Sequence, residues 1–379
     1  MTAAVAGYRR EGMRAQAAAC NLLPEAGMAG QDRAINEGAR MSLEDVIFVI
    51  GEPRSGTTWV GKIMDSHPDV IYRHEPDFAI YDDELPFIVP EAETPRYTER
   101  GRRFFGKLLT EPTLKSAGPP PFFPKSYHAP GIGALRTGIV TILTGLRSVS
   151  NWRNLNRLYV PDIAPIYTRQ ELRFVLKSVG AAGRTGVLKQ AFPSGKFIFV
   201  LRHPCGQVRS VLEGRRSGRA EPHDAVQSAS LLPNMAQYGL TIESLRTMSE
   251  LELFTWIWCL KNEMSLSILH DAENCHVIHY EAVCQNPVDQ AKALFAFSGL
   301  NWSSQTEKFL HDSTEYKGKD RYYRVFRDAN AAANKWRSEL SDEEQRRILE
   351  IVAQTSLAPL WPETRQAATL VNVQDQTDQ

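Results

Sequence analysis

The stretch Val46-Ile-Phe-Val-Ile-Gly51-Glu-Pro-Arg54-Ser55-Gly56-Thr57-Thr58-Trp59 constrains the fold more than any other part of the 379-residue chain. Five consecutive apolar residues, mostly β-branched, predict a strand buried on both faces. A loop with glycine at each end follows, and a helix starts directly after it. Backbone N–H groups of such a loop point into one concavity, and the helix N-terminus adds partial positive charge. An oxyanion is the natural occupant. The G-x-x-x-x-G spacing matches that of triphosphate-binding loops, but Thr57-Thr58 stands where those loops carry lysine and a hydroxyl residue. The lysine that reaches the β and γ phosphates is therefore missing, and Arg54 supplies a cation elsewhere in the loop. An ordinary tight strand–turn–helix is the alternative, and it would not need Arg-Ser-Gly-Thr-Thr.

Four further apolar runs, at 70–72, 174–176, 197–201 and 277–280, have the same continuous character. Helical patterns at 57–66, 204–215, 251–271, 287–298 and 342–354 alternate with or follow them. Pro204 and Pro287 stand at the start of two of these patterns, where a first helical turn tolerates proline. Strands alternating with helices predict an α/β fold: a P-loop-like three-layer sandwich around a central parallel sheet. Residues 78–170 break the rhythm and read as an insertion within one domain spanning 43–365. Residues 1–42 read as a flexible arm and 366–379 as a polar tail.

Composition excludes several classes. Lys+Arg and Asp+Glu are both 44, so no excess positive charge favours nucleic acid. No apolar run reaches the roughly 20 residues of a membrane span. Five cysteines without a C-x-x-C pair fit reduced thiols, hence a cytoplasmic protein. His276 and His279 are three apart on an expected strand, so they face opposite ways and cannot chelate together. No metal is expected.

A second block, Phe197-Ile-Phe-Val-Leu-Arg202-His-Pro-Cys-Gly-Gln-Val-Arg-Ser210, gives the loop a partner. Together the two blocks resemble the sulfotransferases that use 3′-phosphoadenosine 5′-phosphosulfate (PAPS). In that family the first loop holds the 5′-phosphosulfate. An arginine at a strand end and a serine eight positions on bind the 3′-phosphate; Arg202 and Ser210 have that spacing. The resemblance extends to Trp59 as the aromatic that stacks on adenine and to Tyr280, in Tyr280-Glu281 with Asn286-Pro287 following, as a residue beside it. Lys335-Trp336-Arg337 is similar to a late family segment. The usual Arg-Lys-Gly contact is not recognisable, which leaves Arg327 or Lys335 as substitutes. Gly206, lacking a side chain, is expected to leave room for the anion.

Residues after the expected strands (Arg54, Glu75, Lys177, Arg202 and Glu281) should line one sheet edge, where open α/β sheets bind ligands. A carboxylate among cations suits a general base. The cytosolic members place a histidine two residues after a lysine; here Lys177-Ser178-Val179 lacks it. Arg73-His74-Glu75-Pro76 resembles the Glu-Pro element of carbohydrate-modifying members. Glu75 is thus the expected base, with His74 second, Arg54 as the cation for the leaving phosphate and Lys177 as another. A solvated carboxylate or an ion pair to Arg54 is the plain alternative for Glu75. The resemblance implies a small-molecule or carbohydrate acceptor, with 78–170 and 214–249 walling its pocket. Two rivals are a P-loop kinase using Lys62 and a catalytically silent nucleotide-binding scaffold.

Overall fold

The computed structural model describes residues 45–129, 131–149, 153–162, 172–218, 224–270, 272–315 and 329–364. The expected arm at 1–42, the tail at 366–379 and Arg327 lie outside the described residues. In β1 (Ile47–Ile50) the apolar run alternates between two cores. Ile47 and Val49 face Val60 and Ile63, while Phe48 and Ile50 belong with Phe105 and Leu188. Every side chain of the strand is therefore removed from water, as the lack of polar interruption requires.

Around it stand β2 (Val70–His74), β3 (Arg173–Ser178), β4 (Lys196–Leu201) and β5 (Cys275–His279) in the order β2-β3-β1-β4-β5. All pairings are parallel. One helical layer comprises α1 (Thr57–Asp65) and, later in the chain, the helices Pro287–Ser298 and Ser304–Glu315. The opposite layer contains α2 (Thr94–Thr110), then Thr185–Ala191, Pro204–Arg216, Glu250–Leu269 and Asp342–Ala353. Ser249 and Ser341 open the last two of these with capping boxes, each satisfying two backbone donors.

Some boundaries differ from the apolar runs for a tertiary reason. β2 continues past Tyr72 through Arg73 and His74 because β3 pairs with it as far as Lys177. Arg73 can be buried there because Asp162 meets it at 2.6 Å and the Leu109 carbonyl accepts from it at 2.8 Å. At the other edge, Tyr280 does not end a strand but opens the short helix Tyr280–Gln285.

Within 78–170, α2 is core: Phe104, Phe105, Leu108 and Leu109 are buried. The helix α3 (Ile132–Val149) instead packs on a small separate cluster of Leu114, Val140 and Val160. No helix among the described residues is long and apolar enough to cross a membrane. His276 meets Phe297 and His279 meets Trp361, on opposite faces of the sheet. Among the described residues no cysteine forms a disulfide, and Cys20 lies outside them.

Candidate active site

Because the sheet is parallel, all five carboxyl ends lie on one edge. The chain moves from β3 on one side of β1 to β4 on the other, so the strand order reverses at β1. That reversal opens a crevice above the carboxyl end of β1, where the 51–56 loop begins.

The loop is held in a strained shape by its surroundings. Arg54 has φ 72°, and Gly56 has φ 99°. A β-carbon at Gly56 would lie 2.1 Å from the Tyr280 ring, so glycine is required for approach as well as for φ. The Pro53 carbonyl accepts from Gln207 Nε2 at 2.9 Å, and Gln207 Oε1 accepts in turn from Trp258 Nε1 at 3.0 Å. Glu52 pairs with Lys261 at 3.1 Å. These struts come from helices far along the chain, and nothing in their sequence marks them.

Several expected residues gather round the loop. Arg54 Nε donates to Ser210 Oγ at 3.0 Å. Arg202 Nη1 donates to the Arg54 carbonyl at 2.9 Å, and its guanidinium lies 4.9 Å over the Tyr280 ring. Trp59 meets Tyr280 edge to face, with centroids 6.3 Å apart. Trp59 is buried, since α1 turns it into the core. Gly206 also differs from expectation: a β-carbon there would meet Arg202 Nε at 3.1 Å and Trp336 at 3.2 Å. Its missing side chain thus makes room for Arg202 itself. Lys335 stands apart, exposed and ion-paired with Glu339 at 2.7 Å. Glu281 accepts from the His203 backbone at 3.1 Å, and burial pushes its carboxyl above the ordinary value.

Buried around this loop, Ser55 Oγ, Trp59 Nε1 and Arg202 Nε have no hydrogen-bond partner. Buried polar groups are nearly always satisfied, so three orphaned groups able to donate, all beside one loop, suit an anionic ligand there. A phosphate-bearing nucleotide fits that set of groups.

Across the crevice, on the β2–β3 side, Glu75 sits between two lysines. Lys177 pairs with Oε1, and Lys115 pairs with Oε2 at 2.7 Å. His74 Nε2 lies 3.7 Å from Oε2. Burial alone would raise the Glu75 carboxyl; Lys177 and Lys115 together hold it well below the usual carboxylate range. Burial pushes the Lys177 ammonium down, against the pull of Glu75. Burial likewise keeps His74 neutral, with Tyr72 at 3.1 Å from Nδ1. The partners of Glu75 are thus lysines rather than Arg54. Lys115 was not singled out from the sequence, because its contact spans 40 residues and lies in the unpatterned insertion.

Glu75 has φ 47°. Arg54 and Glu75 are the two non-glycine residues with positive φ among those described. Such strain costs on the order of 1 kcal/mol per residue and tends to collect at functional positions. Lys62 faces elsewhere: it is fully buried, pairs with Asp65 at 2.7 Å and donates to the Pro121 carbonyl at 3.1 Å. A lysine committed in this way does not stand in for a triphosphate lysine.

The fold and this edge define an α/β protein with a glycine-bounded loop at the switch point of a parallel sheet and a lysine-clamped carboxylate across from it. The sequence profile of the sulfotransferase family matches residues 45–304, and the chain belongs to that family. Solved structures it is similar to include a mouse sulfotransferase complexed with PAP, at 14% identity and TM-score 0.41, covering 89% of this chain and 92% of that one. A Mycobacterium avium sulfotransferase is 14% identical with TM-score 0.39, covering 83% and 78%. The sulfotransferase domain from the curacin biosynthetic pathway is 14% identical with TM-score 0.37, covering 82% and 96%. No curated protein matches the chain.

Proposed function

We propose that the protein moves a sulfuryl group from PAPS to an acceptor hydroxyl. The observation that carries the reading is the set of orphaned groups, Ser55 Oγ, Trp59 Nε1 and Arg202 Nε, around a strained loop in a chain of the sulfotransferase family. A nucleotide that carries a 3′-phosphate and a 5′-phosphosulfate supplies anionic acceptors at two points. The backbone and hydroxyls of Ser55, Gly56, Thr57 and Thr58 take the 5′ end, beside the α1 N-terminus. Arg202 and Ser210 take the 3′-phosphate, with a forked guanidinium suited to two oxygens. Trp59 and Tyr280 border the adenine. Lys335 reaches the 3′-phosphate only if its exposed side chain leaves Glu339.

In this reading Glu75 accepts the proton of the acceptor hydroxyl as sulfur is transferred. It is ionised at neutral pH, as a base must be. Its clamp of Lys177 and Lys115 lowers its basicity, so an acceptor hydroxyl has to displace at least one lysine from the carboxylate. A lysine so released is free to face the transferring sulfuryl oxygens. Arg54 neutralises charge growing on the departing phosphate, an electrostatic contribution that needs no proton transfer. The acceptor is a small hydroxylated or sugar-containing molecule, entering beside 78–170, and the reaction belongs in the cytoplasm.

The test is thermal unfolding with 3′,5′-ADP, 5′-AMP and ATP, followed by sulfate transfer from labelled PAPS. Ligand at 100 times its dissociation constant adds about 2.7 kcal/mol. A shift with 3′,5′-ADP that fades with 5′-AMP supports the donor site. A shift with ATP alone would return the kinase reading. Binding of 3′,5′-ADP without turnover, and with Glu75→Gln changing nothing, would leave a silent scaffold.

A further inference from the structure

The turn that follows Glu75 carries groups that the transfer itself does not use. Phe78 and Tyr81 are exposed by 41% and 42%. Tyr81 Oη donates to the Phe78 carbonyl at 2.7 Å, which fixes that ring against the turn. Each ring lies beside a cation. Lys115 Nζ, which meets Glu75 at 2.7 Å, stands 5.7 Å from the centre of the Phe78 ring. The Arg157 guanidinium stands 5.4 Å from the centre of the Tyr81 ring, and its Nε donates to the Ala79 carbonyl at 2.9 Å. The two cations arrive together because their segments are joined. Thr113 and Tyr159 form an antiparallel bridge, and the Leu114 N–H donates to the Leu158 carbonyl at 2.8 Å.

Lys115 and Arg157 differ in what they have left to offer. Lys115 is mostly buried and committed to Glu75. Arg157 is exposed, and no carboxylate among the described residues pairs with it. Its Nε bond and the Tyr81 ring hold the guanidinium in place while its Nη groups stay available to a ligand. A fork fixed in this way grips an oxyanion through two parallel bonds with little further loss of side-chain freedom. Nearby carboxylates do not compete for it. Asp82 and Glu84 are paired with Arg100, and Asp162 is paired with Arg73 and Arg136. Asp83, between the first two, is exposed to water, where its charge is screened. Ala79 lies four residues beyond Glu75, across a 3₁₀ turn that rises about 2 Å per residue. Arg157 is thus on the order of 10 Å from the base along the turn, room for a ring-bearing molecule to touch both.

We infer that Arg157 binds an oxyanion group of the acceptor, so that the acceptor is a hydroxylated ring compound carrying a carboxylate or a similar anion rather than a neutral sugar. Its ring rests on Phe78 and Tyr81, whose faces suit the apolar side of a sugar or an aryl group. Its anion meets the Arg157 fork, and its hydroxyl reaches Glu75. The inference rests on the sulfuryl-transfer reading of the Glu75 site and narrows the acceptor for it. Arg157 sets which acceptor binds and takes no part in the transfer.

The experiment is calorimetric titration of the full chain, free and loaded with 3′,5′-ADP, with 4-nitrophenyl β-glucuronide and 4-nitrophenyl β-glucoside, which differ in one carboxylate. The glucuronide is expected to bind about tenfold tighter or more, with the advantage shrinking as salt is added. Arg157→Gln should erase that advantage, and Arg157→Lys, which keeps the charge without the fork, should keep part of it. Thermal unfolding and the 3′,5′-ADP response of both variants should match the parent, which separates an acceptor defect from a folding or donor-site defect. Equal binding of the two glycosides, or no binding of the glucuronide, overturns the inference. So does an equal loss for both glycosides in Arg157→Gln, which would mean that Arg157 only props the turn. A glucuronide preference that Arg157→Gln erases, in a protein indifferent to 3′,5′-ADP, would keep the anion site and remove only the sulfuryl-transfer reading.

Discussion

Arg54 and Glu75 are forced into left-handed backbone by loops that turn sharply off the ends of β1 and β2. Their side chains then meet opposite partners, a hydroxyl for the cation and two ammonium groups for the carboxylate. Glu75→Gln is expected to lower kcat by about 10²–10⁴-fold, the usual range for a general base, while 3′,5′-ADP binding is retained. Its stability effect has a defined sign. The folded carboxyl is held below its ordinary value of 4.5, so its stabilisation is complete above that pH and is lost as pH falls through the folded value. Urea titrations should therefore show the parent and Glu75→Gln converging on acidification from about pH 4.5 downward; a constant gap would mean that the clamp is not ionic. For Arg202→Ala the expectation is a loss of about 1.5–3 kcal/mol in 3′,5′-ADP affinity, about 10–150-fold in Kd by calorimetry. An unchanged Kd would remove Arg202 from the donor site.

At the level of elements, the phosphate loop is a joint product of β1, α1 and two remote helices. Pro53 is anchored by Gln207 of Pro204–Arg216, which is itself fixed by Trp258 of Glu250–Leu269. Gln207→Leu should weaken 3′,5′-ADP binding by several-fold while leaving the global unfolding midpoint nearly intact, because only the loop loses a support. A midpoint drop as large as the affinity loss would show that the strut serves the core instead. Gly56→Ala is expected to be harsher. The added methyl overlaps the Tyr280 ring and sits at φ 99°, so loss of ligand response and more than about 2 kcal/mol of stability should appear together.

For the whole molecule, acid lability should begin with histidines. Burial lowers His67, His74, His128, His203, His276 and His279, with His203 held at about 3 between Trp336 and Trp361. A histidine depressed in the folded state is protonated first in the unfolded chain. Stability is therefore complete above about pH 6.5 and falls as pH drops toward the folded values. Chemical denaturation between pH 7 and 5 should show a steady decline, and a flat profile would mean that these rings accept protons without unfolding. The aromatic stack on His203 joins Trp336 and Trp361 from the C-terminal third to β4, so this part of the fold should feel the loss first.

The apolar runs by themselves specified the strands and the parallel, two-sided burial of the sheet, because an unbroken β-branched stretch has no other stable place. The glycines, Arg54, Arg202 and Ser210 were also legible, since the phosphate loop and its partner block are local patterns with fixed spacing. What the tertiary structure decided is everything that depends on contact across long separations. Glu75 is clamped by Lys177 and Lys115, which are 102 and 40 residues away, and no periodicity encodes such a pair. Burial of Trp59, commitment of Lys62 to Asp65 and occupation of the Gly206 gap by Arg202 follow from helix orientation against the sheet. Local sequence determines which backbone a segment prefers, whereas packing of remote segments determines which charges and rings are brought face to face.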